Sequence, residues 1–228
     1  RLDRWLKRRL AGEPLAYIVG EFVFRGRRFP IDKRAYITDP EASYLVDAVV
    51  RQVDALSARK NRPIVVAEIG CGCGSLGLSV KLERPGIRLI GLDLDPDPLA
   101  LAAVNAAAHG VAAQWIESDF FAGWPLTDAP DLIFADPPWG SEQTLYDATR
   151  DAAYYHAMPA ASAFPLGGPM GCHAQILAAV AARGWSSHVV LNGGVLPPTE
   201  FAALATAAAW RELATPVAGI SILHCRMH

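Results

Sequence analysis

From residue 61 onward, short apolar segments alternate with alanine-rich helical segments, and this alternation limits the fold more than any other feature. Strands that are separated by helices pair in parallel, because the crossover helix returns the chain to the same end of the sheet. The sequence therefore predicts a doubly wound α/β fold with a mostly parallel sheet. The predicted strands are 64–69, 88–93, 112–118, 131–136, 186–192 and a final one within 217–225, and the predicted helices are 75–83, 98–108, 172–183 and 199–209.

The first 60 residues follow a different pattern. Residues 1–10 are predicted to form a helix, and residues 16–32 alternate apolar side chains around a central turn, which predicts a hairpin. Residues 39–56 have the apolar spacing of an amphipathic helix, with Asp39 as its N-cap. We therefore predict an N-terminal arm on the substrate side, comprising 1–60, and a main domain comprising 61–228.

The two parts of the chain differ in charge. Residues 1–34 carry ten Lys/Arg and four Asp/Glu, a net charge of +6, whereas the remaining residues carry eleven and nineteen, a net charge of −8. A basic arm on an acidic body can steer an anionic partner such as a nucleic acid, although an ordinary solvated surface explains the same charges. The cations that would contact a nucleic acid are Arg25, Arg27, Arg28, Lys33 and Arg34.

The cysteine and histidine residues suggest neither a disulfide framework nor a metal centre. The four cysteines lack the spacing of a zinc site, and none of the six histidines stands in a catalytic spacing. No apolar stretch is long enough to span a bilayer. We expect a cytoplasmic protein that binds neither a metal nor a membrane, and the sequence leaves its oligomeric state open.

The glycine-rich segment EIGCGCGSLG, residues 68–77, follows the first strand of the main domain and opens its first helix. Glycines let the backbone turn tightly and approach a ligand, and a helix N-terminus favours polar or anionic groups. Two patterns overlap in this loop. Gly72-x-Gly74-x-x-Gly77, with Asp93 about 20 residues further on, matches the dinucleotide fingerprint. Glu68-x-Gly70-x-Gly72-x-Gly74 matches the loop of class I S-adenosylmethionine (SAM) methyltransferases.

Further acidic residues at strand ends favour SAM over a dinucleotide. Glu68 would repel a pyrophosphate but can face the ammonium group of an amino acid, and SAM carries no phosphate. Asp119 and Phe120 end the third strand and offer an acceptor and an aromatic face to an adenine ring. Strand ends of an open α/β sheet meet at the edge where such sheets bind ligands. An NAD-dependent oxidoreductase is therefore the outside alternative.

The fourth strand runs into Asp136, Pro137, Pro138 and Trp139. Proline has no N–H for a sheet ladder, so the strand must end there. Methyl transfer is an in-line displacement that mainly requires a nitrogen lone pair to be aimed at the methyl group. The Asp136 carboxylate and the Pro137 carbonyl can accept the hydrogens of a planar amino or amide nitrogen, and Trp139 can pack on the planar group.

In their order along the chain, these motifs resemble the HemK-type class I methyltransferases, the release-factor glutamine methyltransferases. The resemblance begins at GEPLAYIVGEFVFRGRRFPID and fades after residue 160. It implies a Rossmann-like sheet of seven strands, SAM as cofactor and a protein glutamine as substrate. By this resemblance Gly70, Gly72 and Gly74 would hold the methionine end of SAM, Asp93 the ribose, and Asp119 and Phe120 the adenine. Glu68, Cys71 and Asp136 would complete the cofactor site.

The sequence departs from this family at two motifs. Where the family has I-P-R-P-E-T-E, this chain has ITDPEAS, so Asp39 replaces an arginine and Ser43 a glutamate. Where the family has N-P-P-Y, this chain has DPPW, which is similar to the tetrad of mRNA-type adenosine N6-methyltransferases. Asn both donates and accepts hydrogen bonds, whereas ionised Asp only accepts.

Three hypotheses on function follow from the motifs and the departures. The resemblance along the chain favours methylation of a protein side-chain amide. Asp136, Trp139 and the basic arm favour methylation of a nucleobase amino group. A third hypothesis is a SAM-binding protein whose altered tetrad no longer turns over, and small-molecule substrates are a further alternative.

Overall fold

A computed structural model of the chain describes residues 2–141, 150, 152–197, 199–200, 204, 210–212, 215–217 and 220–227. The helices of this part are α1 (Leu2–Leu10), α2 (Leu15–Val19), α3 (Ser43–Ser57), α4 (Ser75–Glu83), α5 (Pro96–Ala108), α6 (Ala152–His156), α7 (Ala160–Ala163) and α8 (Gly171–Ala181). The strands are β1 (Glu21–Phe24), β2 (Arg27–Pro30), β3 (Val65–Ile69), β4 (Arg88–Asp93), β5 (Gln114–Glu117), β6 (Leu132–Ala135), β7 (His188–Asn192), β8 (Trp210–Glu212), β9 (Thr215–Val217) and β10 (Ile220–Met227).

The main sheet has the strand order β5-β4-β3-β6-β7-β10-β8, and its first five strands run parallel. Strand β10 is antiparallel to β7, and β8 and β9 both pair with the other edge of β10. The predicted doubly wound, mostly parallel sheet is confirmed. The resemblance implied seven strands, whereas the described part of this sheet has eight, because two short strands, β8 and β9, share the last position at one edge.

The central strands are buried on both faces, as expected for a parallel sheet covered by helices. Alternate residues of β3 therefore belong to different cores: Val66 faces a core with α3 and α4, and Ala67 faces a core with α8. Phe29 of the hairpin is fully buried in the first of these cores. The arm thus packs directly against the main sheet and its helices, and its division from the main domain at residue 60 stays a prediction.

The start of β6 is fastened to β3 by Asp131, whose side chain is almost fully buried. Its carboxylate accepts hydrogen bonds from Arg62, from Lys60 and from the amide of Val65. The Asp131 amide in turn donates to the Val65 carbonyl at 2.9 Å. Burial alone would raise the pKa of Asp131, but the hydrogen bonds from Arg62 and Lys60 outweigh it and lower that pKa.

Two local predictions in the arm are wrong. The segment Leu15–Val19, predicted as part of a strand, is one turn of helix that ends at Gly20 with φ 90°. Its Tyr17 is buried and donates a hydrogen bond to the carbonyl of Ala35 at 2.6 Å, and this tertiary contact overrides the strand propensity of the segment. Asp39 does not cap α3, because its side chain makes no capping hydrogen bond and a 3₁₀ turn, Pro40–Ala42, intervenes.

The other predicted elements of the arm and the tail are present. Strands β1 and β2 form the predicted hairpin around Arg25 and Gly26, and both turn residues have positive φ. The predicted final strand is β10. The predicted helix at 199–209 lies largely outside the described residues.

The cations proposed to contact a nucleic acid are each close to a carboxylate of the chain. Arg25 bonds Glu83 at 2.8 Å and Asp47 at 2.8 Å, and the other pairs are Arg27–Glu83, Arg28–Glu21, Lys33–Glu13 and Arg34–Asp32. Among the helices described, none has the length and apolarity needed to cross a membrane. The described residues also contain no cluster of three His, Cys, Asp or Glu side chains suited to a metal ion.

Candidate active site

The glycine loop turns between β3 and α4 at the carboxyl edge of the sheet, where β3, β4, β5, β6 and β7 all end. Gly70, Gly72 and Gly74 have φ of 65°, 52° and 77°, a region that side chains other than glycine rarely adopt. A Cβ on Gly70 or Gly72 would meet no atom within 4 Å. The loop therefore presents bare backbone to open space, which suits the close approach of a ligand.

Gly74 has a second role that the sequence did not reveal. A Cβ on Gly74 or on Gly91 would collide with the indole of Trp115, which fills the space between β4 and the start of α4. Gly74 is thus required for packing as well as for the turn. The buried Cys71 fastens the loop to β4, since its amide donates to the Leu92 carbonyl at 3.1 Å.

Glu68 was predicted to face the ammonium group of the cofactor, and the structure places it deeper than that role suggests. It is 2% exposed, and its Oε2 accepts a hydrogen bond from the amide of Gly77 at 3.1 Å. Burial raises the pKa of Glu68 well above its usual value, and the charges of Asp93 and Asp136 add to the rise. One carboxylate oxygen is committed to the first turn of α4, and contact with a ligand stays a prediction.

Asp93 ends β4 and holds the loop in place. Its carboxylate accepts from the amide of Gly72 at 2.8 Å and from the amide of Asp95 at 3.2 Å. Burial raises the pKa of Asp93, and these two hydrogen bonds oppose the rise. Because each carboxylate oxygen has more than one acceptor position, the predicted contact with a ribose remains compatible with both bonds.

The chain after β5 presents the two residues predicted to contact adenine. Asp119 is exposed, and the half-buried Phe120 has φ 46° and packs at the border of the core under α8. Ser118 shapes this turn, because its hydroxyl donates to the Phe120 carbonyl and accepts from the amide of Gly123. The role of Ser118 was missed, although a small hydroxyl residue before an acidic turn is a common signal for such local bonds.

Strand β6 ends at Ala135, immediately before Asp136-Pro137-Pro138-Trp139, as the prolines predict. The indole of Trp139 lies directly over the backbone of Gly194, where any Cβ would overlap the ring. The amide of Gly140 donates to the Pro169 carbonyl at 3.1 Å. The loop 167–171 is therefore hydrogen-bonded to the residue that directly follows the tetrad.

Asn192, at the end of the neighbouring strand β7, positions the tetrad acid. Its Nδ2 donates to Oδ1 of Asp136 at 2.7 Å, and its own Oδ1 accepts from the amide of Gly194 at 3.0 Å. Behind it, the buried His173 donates from Nε2 to the Asn192 carbonyl at 2.7 Å. Burial lowers the pKa of His173 to about 4, so this imidazole is neutral at physiological pH.

No motif in the sequence marks Asn192 or His173 as a functional residue. The available signal for Asn192 was its place at the end of the strand predicted to follow the tetrad strand, since polar residues at adjacent strand ends converge on one edge. His173 had no such signal. It lies within helix α8, and only the packing of that helix against the sheet brings it next to Asn192.

The segment before α3 forms the wall beside Asp136 and contacts the glycine loop. Thr38 and Ser75 share a hydrogen bond between their hydroxyls at 2.6 Å. The Asp39 carboxylate accepts from Arg150 at 2.5 Å and from the Tyr36 hydroxyl at 3.1 Å, and Arg150 also contacts Glu41 at 3.5 Å. Arg150 thus supplies a guanidinium beside the position where HemK-type sequences carry an arginine and this chain has Asp39.

The acidic surroundings change the protonation of the tetrad acid. Burial raises the pKa of Asp136 to about 7, and the negative charges of Asp39 and Glu41 add to this rise, while the hydrogen bond from Asn192 opposes it. Asp136 is therefore poised between its neutral and ionised forms near neutral pH.

The comparison with family models matches the methyltransferase small domain over residues 49–158. The release factor glutamine methyltransferase of Nitratidesulfovibrio vulgaris is 32% identical over 187 residues, which cover 81% of this chain and 60% of that protein. The enzyme of the same name from Neisseria gonorrhoeae is 35% identical over 61% of this chain and 49% of its own length. The chain is thus similar in sequence to the HemK-type class I methyltransferases over most of its length. It spans about half to three-fifths of the length of these two relatives.

The fold of the chain is also similar to that of a solved methyltransferase. The 16S rRNA N2 G1207 methyltransferase of T. thermophilus, solved with AdoMet and guanosine, superposes with a TM-score of 0.61 at 18% identity, covering 91% of this chain and 50% of that one. AdoMet, the ligand of that structure, is S-adenosyl-L-methionine. The open backbone of the glycine loop, with the Asp93 carboxylate and the Phe120 ring on the same edge, fits this cofactor.

Proposed function

We propose that the chain is a SAM-dependent N-methyltransferase whose substrate is the side-chain amide of a glutamine in a protein. The observation that carries the proposal is the geometry at the end of β6. There Asp136 is held by Asn192, and Trp139 is fixed over Gly194. The name of the curated relatives, release factor glutamine methyltransferase, supports the same substrate class.

SAM, when bound, supplies a methyl group on a positively charged sulfur. The chain positions the two reactants. The backbone of the glycine loop and Asp93 are proposed to bind the cofactor, with Asp119 and Phe120 at its adenine. Asp136 and the Pro137 carbonyl accept hydrogen bonds from the amide nitrogen, and Trp139 packs on the amide plane. Holding the amide nitrogen close to the methyl group and in line with the S–C bond supplies much of the rate enhancement of such a displacement, because it turns a bimolecular encounter into a reaction between two positioned groups.

The charges on the arm favour a protein over a nucleic acid. Strong binding to nucleic acid requires cations that are available to replace the counterions of phosphates. The arm cations proposed for that role already lie beside carboxylates, and Arg25 bonds two of them. The alternative, methylation of a nucleobase, keeps one argument in its favour: an ionised Asp136 accepts hydrogen bonds only, which suits an isolated amino group. The cytoplasm is the proposed location, and its reducing conditions agree with the free thiols of the four cysteines.

The proposed function is tested by transfer of labelled methyl from SAM into a cell lysate, followed by separation of protein, RNA, DNA and small molecules. We expect the label in protein, at glutamine. Asp136→Ala is expected to abolish transfer and to leave the affinity for S-adenosylhomocysteine within a few fold. Asp128→Ala, on an exposed loop, is the matched control and should keep full transfer. Label in RNA or DNA, or normal turnover of Asp136→Ala, would contradict the proposal.

A further inference from the structure

Asp136 raises a chemical difficulty for an amide substrate. A glutamine side chain presents two N–H donors and one carbonyl acceptor, and an ionised carboxylate can satisfy only the donors. The substrate carbonyl would then give up its hydrogen bonds to bulk water without gaining a partner in the site, and such an orphaned group weakens binding. An amide substrate therefore requires a donor near Asp136.

The groups that face Asp136 favour a retained proton. The acidic groups that disfavour a negative charge on Asp136 are Asp39 and Glu41, from the wall before α3. Glu68 of β3 also faces this cluster, and the charge of Asp136 raises the pKa of Glu68 in turn. The one guanidinium in this cluster, that of Arg150, is shared between Asp39 and Glu41. Like charges crowded in one site raise the affinity of a carboxylate for its proton.

Asn192 determines where that proton sits. Its Oδ1 accepts from the Gly194 amide, so its Nδ2 must be the atom that donates to Oδ1 of Asp136. The neutral His173 bonds the Asn192 carbonyl and adds no charge to the cluster. Because Oδ1 of Asp136 already faces a donor, a proton on this carboxyl belongs on Oδ2.

We propose that Asp136 acts as a neutral carboxylic acid that reproduces the hydrogen-bonding pattern of asparagine toward a glutamine amide. The inference rests on the proposed function, since it requires an amide substrate. The Oδ2 hydroxyl donates to the substrate carbonyl, and the second lone pair of Oδ1 accepts one N–H of the amide. The Pro137 carbonyl accepts the other N–H.

The reaction balances with water as the only other participant. The amide nitrogen lone pair forms the new N–C bond, and the electrons of the broken S–C bond return to sulfur and neutralise it. One proton leaves the nitrogen and passes to water, so Asp136 keeps its own proton throughout. The neutral form is well populated near neutral pH, because burial and the acidic neighbours raise the pKa of Asp136 to about 7.

The experiment compares the wild-type chain with Asp136→Asn over a range of pH. We expect the wild-type kcat/KM on a glutamine peptide to decline as the pH rises through about 7, because only the neutral acid can donate. Asp136→Asn should remain active and lose this alkaline decline. A wild-type rate that rises through the same pH range, together with loss of activity in Asp136→Asn, would overturn the inference.

Two readouts do not depend on turnover. In the presence of S-adenosylhomocysteine, the affinity for the glutamine peptide should fall over the same alkaline range in the wild type and stay constant in Asp136→Asn. The infrared difference between the two proteins should contain the carbonyl band of a protonated carboxylic acid, which disappears with the same midpoint. Absence of that band at pH 6 would exclude the neutral acid whatever the substrate.

A variant of a neighbouring acid tests whether the facing negative charges cause the raised pKa of Asp136. Asp39→Asn removes one facing negative charge and should move the alkaline decline to lower pH. Asp32→Asn, whose carboxylate pairs with Arg34 on the arm, should leave its midpoint unchanged. If all variants methylate a nucleobase instead, the proposed function has failed, whereas an ionised Asp136 in an enzyme that methylates glutamine refutes only this inference.

Discussion

At the scale of single residues, the site depends on close contacts and hydrogen bonds that a different side chain would disrupt. Trp139 rests on Gly194, which has a positive φ of 55° and no side chain to displace the ring. Asn192 uses its amide oxygen, amide nitrogen and carbonyl oxygen for three different partners. The acid of the tetrad is therefore positioned by Asn192, the last residue of β7, and the aromatic wall by Gly194 in the turn after this strand.

Replacement of Gly194, the glycine under Trp139, should separate the contribution of Trp139 from that of Asp136. In Gly194→Ala the new methyl group would overlap the indole, so we expect a loss of transfer with little change in the affinity for S-adenosylhomocysteine. Gly184→Ala is the matched control, because Gly184 has φ 62° with no atom near its missing Cβ. Both variants carry a backbone penalty of about 1–2 kcal/mol, which thermal unfolding measures. Equal activity in the two variants would show that the position of Trp139 is unimportant.

Sequence reasoning found the residues of the tetrad and of the glycine loop because each stands at the end of a recognisable apolar strand. It failed where a distant residue decides the role. Asp39 looked like a helix cap, and its actual partner, Arg150, lies 111 positions away. Glu68 was expected to face a ligand from the loop entrance; the fold buries it and the amide of Gly77 binds one of its carboxylate oxygens, while its contact with a ligand stays a prediction.

At the scale of elements, α4 and β4 were predicted at their observed bounds, because a glycine loop precedes the helix and an acidic turn follows the strand. Helix α2 was missed, since its apolar residues alternate as in a strand and only the burial of Tyr17 selects the helix. The pairing of β3 with β6 has a clear side-chain determinant in Asp131, which bonds Arg62, Lys60 and the Val65 amide.

We expect Asp131→Asn to weaken this pairing and to reduce the free energy of unfolding by about 1–3 kcal/mol at neutral pH, as for other buried hydrogen-bonded groups. The folded-state pKa of Asp131 is lowered, so its ionised form stabilises the fold above its unfolded pKa of about 3.9 and loses this effect as the pH falls further. The difference between wild type and variant in urea unfolding should therefore shrink below about pH 4. A difference that is independent of pH would contradict the role of the charge.

At the scale of the whole molecule, four strand ends and the glycine loop meet at the edge of the sheet where the cofactor is proposed to bind. S-adenosylhomocysteine should therefore raise the free energy of unfolding, by about 2.7 kcal/mol at a hundred times its Kd. Asp93→Ala should weaken the affinity by about tenfold to a hundredfold, because hydrogen bonds to charged groups contribute about 1.5–3 kcal/mol. Asp97→Ala, on the exposed first turn of α5, is the control. Calorimetry that detects NAD and not S-adenosylhomocysteine would refute the cofactor site.

The salt dependence of substrate binding provides a further measurement on the entire chain. Because the arm cations lie beside carboxylates of the same chain, few of them are available to displace counterions from a polyanion. We expect the logarithm of the affinity for the protein substrate to fall only slightly with the logarithm of the salt concentration. A steep linear fall would instead indicate several phosphate contacts and would favour the nucleobase alternative.

The hydrogen bond between Asp136 and Asn192 joins residues that are 56 positions apart. One lies just after β6 and the other at the end of β7, and α6, α7 and α8 lie between these strands in the sequence. During refolding, the helices can form early from local contacts, whereas parallel pairing of distant strands must wait for closure of long loops. The acid and the residue that orients it meet only after β6 and β7 have paired. The first turnover of a refolding molecule therefore reports the completion of this half of the sheet, and its onset is expected to lag behind the recovery of helical circular dichroism.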